Sequence, residues 1–440
     1  MHRIIVVGGG AGGLELATRL GDRYGRRRRL PRACITLVDR NATHMWKPLL
    51  HEVAAGSVDP YTHQLGYAEQ AYWHGFEFQR GELTGLNRAT RTITLGALFD
   101  DEGIEILPAR TLEYDTLVIS IGSTTHYFGV EGAQQHAFAL DTVDEAERFR
   151  RKLIAVCTRT HASQNLGDRP SVQVAIVGGG ATGVELAAEL RNTAHVLAAY
   201  GLHRLDPVRD IGITIVEAGP RILPPLPEHV AESAARLLCD SAITVRVGER
   251  VIEVTSDALR TISGKIISAD LSVWAAGIKA PPVLAMLGGL PVGKLGQLKV
   301  RPTLQSEADD AVFALGDCAE CPWLNTSMRV PPRAQAAHQQ ASFLLRALGM
   351  RINGHEHLPL PEFHYRDLGS LVSLGQVSAV GTLAVGLIGS RLFIQGVLAR
   401  LMYASLYRLH VSALHGWARM ALDTLAHRLR RWTAPRVKLH

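Results

Sequence analysis

AIVGGGATGVELAAEL, residues 175–190, decides the fold, because a near copy, IIVVGGGAGGLELATRL, already occupies residues 4–20. Each copy opens with a run of Ile, Val and Ala that reads as a buried parallel strand. Each then carries G-x-G-x-x-G, at Gly8, Gly10 and Gly13 and again at Gly178, Gly180 and Gly183. A helical pattern follows directly. The first glycine allows the tight turn, the second leaves room for a pyrophosphate against the backbone, and the third lets the helix pack on the strand. The helix start then offers unpaired N–H groups and a partial positive charge to the phosphates.

One such motif is weak evidence, but here its context is repeated as well. After each loop a second strand ends in a carboxylate, Asp39 in CITLVDR and Glu217 in GITIVEAG. From there a carboxylate accepts hydrogen bonds from ribose hydroxyls. Both gaps exceed the usual spacing of about 20 residues, which requires insertions. The first is GDRYGRRRRLPRA, residues 21–33, and the second lies around residues 191–211.

At 440 residues, 47% hydrophobic and 20% charged, the chain is ordinary globular material of two to three domains. Five scattered cysteines argue against a disulfide scaffold. The first strand begins so early that a signal peptide is not expected, which predicts a cytosol-facing chain. The net charge is +6. The RRRR run at 26–29 reads as a solvated loop, and without interleaved aromatics it does not predict nucleic-acid binding. No ligand cluster has zinc-type spacing, so no metal is predicted.

The repeat divides the chain. Residues 1–150 hold the first unit and end in YDTLVISIGS, a strand running into Gly122. Residues 151–295 hold the second and end in ADLSVWAAGIKAPP, a strand running into Gly277. Residues 296–355 complete the first unit with DAVFALGDCAECP and a Pro-led helix start, VPPRAQAAHQQASFLL; residues 356–440 differ in composition. The predicted fold is α/β, two Rossmann-like dinucleotide-binding domains with the first discontinuous. Two dinucleotides that meet can pass electrons, and FAD with a nicotinamide cofactor is the obvious pair.

These motifs resemble those of the type II NADH dehydrogenases, the single-subunit, non-proton-pumping NADH:quinone oxidoreductases. The resemblance runs through GGGAGGLELA, WKPLLHEVAAGSVD, VGGGATGVELAAEL, VEAGPRILP, VWAAGIKAP, ALGDCA, PPRAQAAHQQA and SLYRLHVSALHG. It implies FAD on the first domain, NADH as substrate on the second, and a membrane quinone on the far side of the flavin. On that resemblance Gly8, Gly10, Gly13 and Asp39 hold the adenosine half of FAD, and Asp317 meets its ribityl chain. Lys47 lies near the flavin. Gly178, Gly180, Gly183 and Glu217 hold NADH, and Glu185 sits near the nicotinamide. Gln335 and Gln339 line the quinone site. Gly122 and Gly277 close the two cofactor clefts. His338 is either a proton supplier or a structural histidine. Glu217 would repel a 2′-phosphate and so favours NADH, an effect that Arg221, four residues on, could soften.

Residues 371–390 are uncharged and long enough to span a bilayer. Their Gly and Ser content and alternation predict hairpin strands instead. The following segment reads as a helix with Leu398, Met402, Leu406, Leu409 and Ala413 on one face and Arg400 opposite. From Arg391 onward there are nine Arg or Lys and one acidic residue, Asp423. An arginine at mid-bilayer costs about 2.5–3.5 kcal/mol on the insertion scale. The tail therefore reads as an amphipathic anchor on a lipid bilayer surface, making the chain a peripheral protein of the cytoplasmic face of the bacterial inner membrane. A dimerising helical layer is the alternative, which leaves a homodimer open.

Three rivals remain at this level. A disulfide reductase would need a cysteine pair facing the flavin; NATHMWKPLLHEV has none, and in CAEC Cys318 directly follows Asp317. A reductase of an iron–sulfur protein would not need the basic tail. A membrane-bound NADH sensor would bind both nucleotides with little turnover.

Overall fold

The computed structural model describes residues 1–162, 172–200, 202, 204–355, 358–375, 378–385 and 390–433. The chain divides into two units. One comprises Met1–Trp46, Gln64–Thr124 and Ile278–Arg366; the other comprises Lys47–His63, Thr125–Gly277 and Asp367–His440.

The first unit is built on a six-stranded sheet. Its strand order is Gln305–Ser306, Asp309–Ala314, Thr116–Ile119, His2–Val7, Ala33–Asp39, Glu77–Arg80. All neighbours pair in parallel except the short edge strand Gln305–Ser306. The central strand, His2–Val7, is buried over its last four residues, as its unbroken apolar run requires. It feeds the first loop helix, Ala11–Tyr24. Against that helix packs another, Ala334–Ile352, here termed the glutamine helix. Gly12 permits the close approach: a Cβ there would come within 2.6 Å of Leu315 Cδ1 and 3.0 Å of Ala337 O. Pro331 and Pro332 precede this helix and do not open it, because Arg333 is its N-cap and Ala334 its first residue.

The second unit repeats the plan with five parallel strands in the order Ala137–Phe138, Leu271–Trp274, Val172–Val177, Ile211–Val216, Ile243–Arg246. The second loop helix, Ala181–Ala199, is longer than the first, which absorbs part of the insertion expected there. Arg191 anchors the rest. Its buried guanidinium donates to the carbonyls of Ser241, Pro207, Ile211 and Ala242, so two chain segments share one cation.

The unit boundaries differ from those read in the sequence. Residues 125–150 belong with the second unit, because the helix Val143–Ala162 shares the second unit's core. Its Leu153 and Cys157 line one small apolar cavity with Val174, Leu190, Leu197 and Ile213. The short helix Leu50–Ala55 joins this unit too, where Ala55 O accepts the Thr193 hydroxyl at 2.8 Å.

The region 371–390 is not a spanning helix. Its described part forms strands of an antiparallel sheet, Gly369–Leu374, Ser378–Val385 and Ser390–Gln395. Among the described residues no helix is long and apolar enough to cross a membrane. The tail helix, Val397–Thr433, is broken at Gly416, whose φ is +78°.

Candidate active site

In the first loop the glycines answer different demands. A Cβ on Gly8, with φ +102°, would lie 2.4 Å from Ser120 O, and one on Gly13 would lie 1.9 Å from Gly8 O. At Gly10 a Cβ meets nothing within 4 Å. So Gly8 and Gly13 serve the protein's own packing, whereas Gly10 borders open space. Gly10 is also the N-cap, with no side chain satisfying the helix start. The second loop matches it. Gly178 and Gly183 face contacts of 2.8 and 2.1 Å, Gly180 faces none, and Gly180 is again an N-cap without a side-chain bond. Two anion-receptive helix starts are therefore built on the same geometry.

Both strand-end carboxylates brace their loops. Asp39 accepts the Gly9 N–H at 2.7 Å and the Asn41 N–H at 2.8 Å. Burial raises its pKa, against the bonds from Asn41 and Gly9. Glu217 accepts the N–H groups of Gly179 and Gly219, each at 2.6 Å. Arg221 does not reach toward a ribose phosphate: its guanidinium donates to Leu226 O at 2.8 Å and Pro224 O at 2.9 Å.

Asp317 follows Gly316, whose φ is +73°. Its carboxylate accepts the Ser123 hydroxyl at 2.9 Å, and its carbonyl accepts Gln297 Nε2 at 2.8 Å. Gly122, with φ +71°, has open space where a Cβ would stand; Gly277, with φ +68°, lies against Phe128. Cys318 and Cys321 are free, fully buried thiols, pushed up to about 12 by burial. They are unsuited to attack as thiolates.

On the glutamine helix, Gln335 and Gln339 are half-buried. Gln339 is committed to the backbone of Arg366: Nε2 donates to its carbonyl at 2.8 Å and Oε1 accepts its N–H at 3.0 Å. These bonds commit one N–H and one lone pair of the amide. His338 packs toward the first loop helix, with Nδ1 2.6 Å from Glu15. Glu15 raises its pKa.

In the second unit Lys47 Nζ donates to Asp141 at 2.8 Å, and Asp141 also accepts the Thr125 N–H. Glu185 is buried on the second loop helix. Its Oε1 accepts the Ser373 N–H at 3.0 Å, and the Tyr403 hydroxyl bonds it as well. Burial nevertheless pushes its pKa up to about 8. His51 stands 3.7 Å from Oε2 but is itself driven down to about 4 by burial, so it brings no charge. Tyr403, His51 and Ser373 escaped the sequence reading because they come from a distant helix, a short helix and a sheet edge.

The tail helix keeps Leu398, Leu406 and Leu409 of its expected face outward but not Met402. Met402 packs against Ala379, Ile394 and Ala399. The outward apolar residues are Val397, Leu398, Leu401, Leu406 and Leu409, with Trp417, Leu422 and Leu425 beyond the break.

Residues 2–341 match the model of the pyridine nucleotide-disulphide oxidoreductase family. Over its whole length the chain is 40% identical to the type II NADH:quinone oxidoreductase of Haemophilus influenzae, also covered in full. The chain belongs to the type II NADH:quinone oxidoreductases. A Mycobacterium tuberculosis member is 25% identical over 94% of this chain and 86% of its own. The solved structure of Plasmodium falciparum NDH2 in complex with NADH superimposes with a TM-score of 0.81 at 19% identity, covering 99% of this chain and all of that one. That likeness extends the shared fold through the C-terminal region. The basis of membership in the wider family is the pair of glycine loops, and of membership in the type II family the match along the full chain.

Proposed function

We propose that this chain oxidises NADH held on its second unit and reduces a membrane quinone, with FAD resident on its first. When bound, FAD supplies the two-electron link between a hydride donor and a quinone. The observation that carries this reading is the paired loop geometry, in which Gly10 and Gly180 alone border open space while their neighbours are locked.

The residues divide the work. The first loop and Asp39 bind the adenosine half of FAD, Gly122 leaves room beside it, and Asp317, held by Ser123 and Gln297, orients its ribityl chain. The second loop and Glu217 bind NADH, with Gly277 closing that cleft. Glu185 holds a proton at neutral pH near the nicotinamide; since Oε1 accepts Ser373, the proton falls to Oε2. Gln335 orients the quinone, while Gln339 fixes the wall at Arg366. Lys47, paired with Asp141, braces the cleft on the flavin's side. The outward leucines and Trp417 of the tail helix rest on a lipid surface, on the cytoplasmic face, which brings the enzyme to an acceptor that lives in the bilayer. A homodimer is compatible with this placement.

Purified protein in detergent, studied anaerobically by visible spectroscopy, tests the reading. A flavin band that bleaches on NADH and returns on a short-chain quinone is the expected result. Bleaching without recovery points to a protein or disulfide acceptor. Folded protein that neither contains nor takes up FAD overturns the assignment of the first unit.

A further inference from the structure

Gln340 follows the residues assigned to the quinone and is 1% exposed. Its Oε1 accepts the Gly316 N–H at 2.7 Å. The same side chain hydrogen-bonds the Cys321 thiol. One buried amide thus clasps both ends of the turn Gly316-Asp317-Cys318-Ala319-Glu320-Cys321, with Asp317 held between them. Nothing about the apolar packing of the glutamine helix requires an amide at this position. The neighbouring buried residues Ala336, Ala337 and Ala341 pack without polar groups. Gly316 has a left-handed backbone, and its part-buried N–H takes Gln340 Oε1 as its acceptor, so removing the amide takes that partner away.

We infer that Gln340 is a positioning residue that registers the flavin-holding carboxylate of Asp317 against the turn of helix bearing Gln335 and Gln339. The inference rests on the reading of Asp317 as a flavin contact. Its consequence is that a single side chain couples two properties: retention of FAD and affinity for quinone. Gln339 immediately precedes Gln340 and Gln335 lies five residues before it on the same helix, and Asp317 lies one residue beyond the Gly316 bond. A shift at the clasp therefore moves carboxylate and glutamines relative to each other. The NADH loop lies in the other unit and does not share this clasp.

Gln340→Met keeps the volume and removes both bonds, whereas Gln340→Glu keeps the acceptor for Gly316. For Gln340→Met, the FAD dissociation constant of flavin-stripped protein should rise about tenfold, the equivalent of one unmatched donor. At saturating FAD, the KM for a short-chain quinone should rise several-fold while the KM for NADH stays within about twofold. Gln340→Glu should restore most of the FAD affinity. Cys321→Ala, which removes only the far bond, should shift both quantities in the same direction by less, and it serves if Gln340→Met fails to fold. A Gln340→Met protein with lower thermal stability but unchanged FAD affinity and quinone KM would overturn the inference, since the bond would then be structural only. So would parallel rises in the KM values for quinone and NADH. Wild-type protein that binds no FAD would instead remove the reading of Asp317 beneath it.

Discussion

Around the first glycine loop, His44 Nδ1 and the Tyr67 hydroxyl both reach Gly9 O at 2.8 Å, and both side chains are buried. Around the second, Gly179 has Ile222 and the Glu217 side chain as neighbours, and its carbonyl accepts the Leu223 N–H at 2.7 Å. The motif is the same, but the first loop is clasped by two buried side-chain rings and the second by a backbone N–H. A loop clasped by two rings suits a cofactor that stays, and one held by a backbone N–H and its own carboxylate suits a substrate that must leave each cycle. The contrast deepens two residues past each third glycine. Glu15 and Glu185 hold equivalent positions, and both are buried. Glu15 meets Arg19 at 2.7 Å and His338 at 2.6 Å. Glu185 meets a neutral histidine, a tyrosine and a backbone N–H. Equal sequence thus yields a carboxyl set between two basic side chains in one unit and a carboxyl whose pKa burial raises in the other.

The most damaging way to probe this contrast is to fill the third glycine of each loop. A Cβ at Gly13 or Gly183 would overlap a carbonyl oxygen at 1.9 or 2.1 Å. Gly183→Ala should lower kcat/KM for NADH about 100-fold, the upper end of overpacking costs, with flavin retained. Gly13→Ala should lose the flavin itself. Equal flavin content in both variants, read from the visible band, would erase the distinction between the loops.

Next is the buried acid. Folding keeps Glu185 protonated up to about pH 8, whereas the unfolded chain ionises it from about 4.5. The unfolded state binds fewer protons in that window, so wild-type stability falls as pH rises through it. Glu185→Gln should remove that slope and with it a penalty on the order of 5 kcal/mol that wild type carries above pH 8. Parallel urea-unfolding curves at pH 5 and 9 check it; an unchanged difference between the two proteins at both pH values refutes the protonated acid. Glu15→Gln acts in the opposite sense. It should lower the pKa of His338, followed by NMR, because Glu15 is what raises it.

A smaller effect concerns selectivity. Glu217→Ser should raise the KM for NADH about tenfold and narrow the preference over NADPH, without making NADPH the better substrate, since Arg221 stays on its carbonyls. Comparing kcat/KM for the two nucleotides decides it; a reversal of preference would mean that Arg221 is released. The mildest test is Tyr67→Phe, which deletes one bond to Gly9 O. Loss of about 1 kcal/mol, seen as faster FAD release and a lower Tm, is expected. No change in FAD release would mean the clasp is ornamental.

Much of this was legible in the sequence because it depends on local spacing. The strands, loop glycines and following helices are set within some 17 residues of each copy, and Asp39 and Glu217 end the next strand. The tail sheet was legible through its alternation. What stayed hidden depends on contacts between distant segments. His44, Tyr67 and Ser120 meet the first loop only after folding, and Tyr403 reaches Glu185 across 218 positions of chain. The helix face was legible in part, with Leu398, Leu406 and Leu409 outward, because a periodic stripe marks which residues are apolar, not which of them the adjoining sheet will cover. Met402 was covered, and Leu401 was left outside.

The thiols in the flavin turn have a further consequence. A reduced flavin exposed to air releases hydrogen peroxide, which attacks thiolates before thiols. Cys318 and Cys321, beside the place where that oxidant would arise, are buried and hold their protons to about pH 12. The exposed Cys239, on the helix Glu228–Asp240 of the other unit, is the residue an oxidant or an alkylating reagent reaches first. With FAD held as proposed, the two thiols nearest it are shielded from that by-product, and oxidative wear should be recorded at a surface site remote in sequence from the turn Gly316–Cys321.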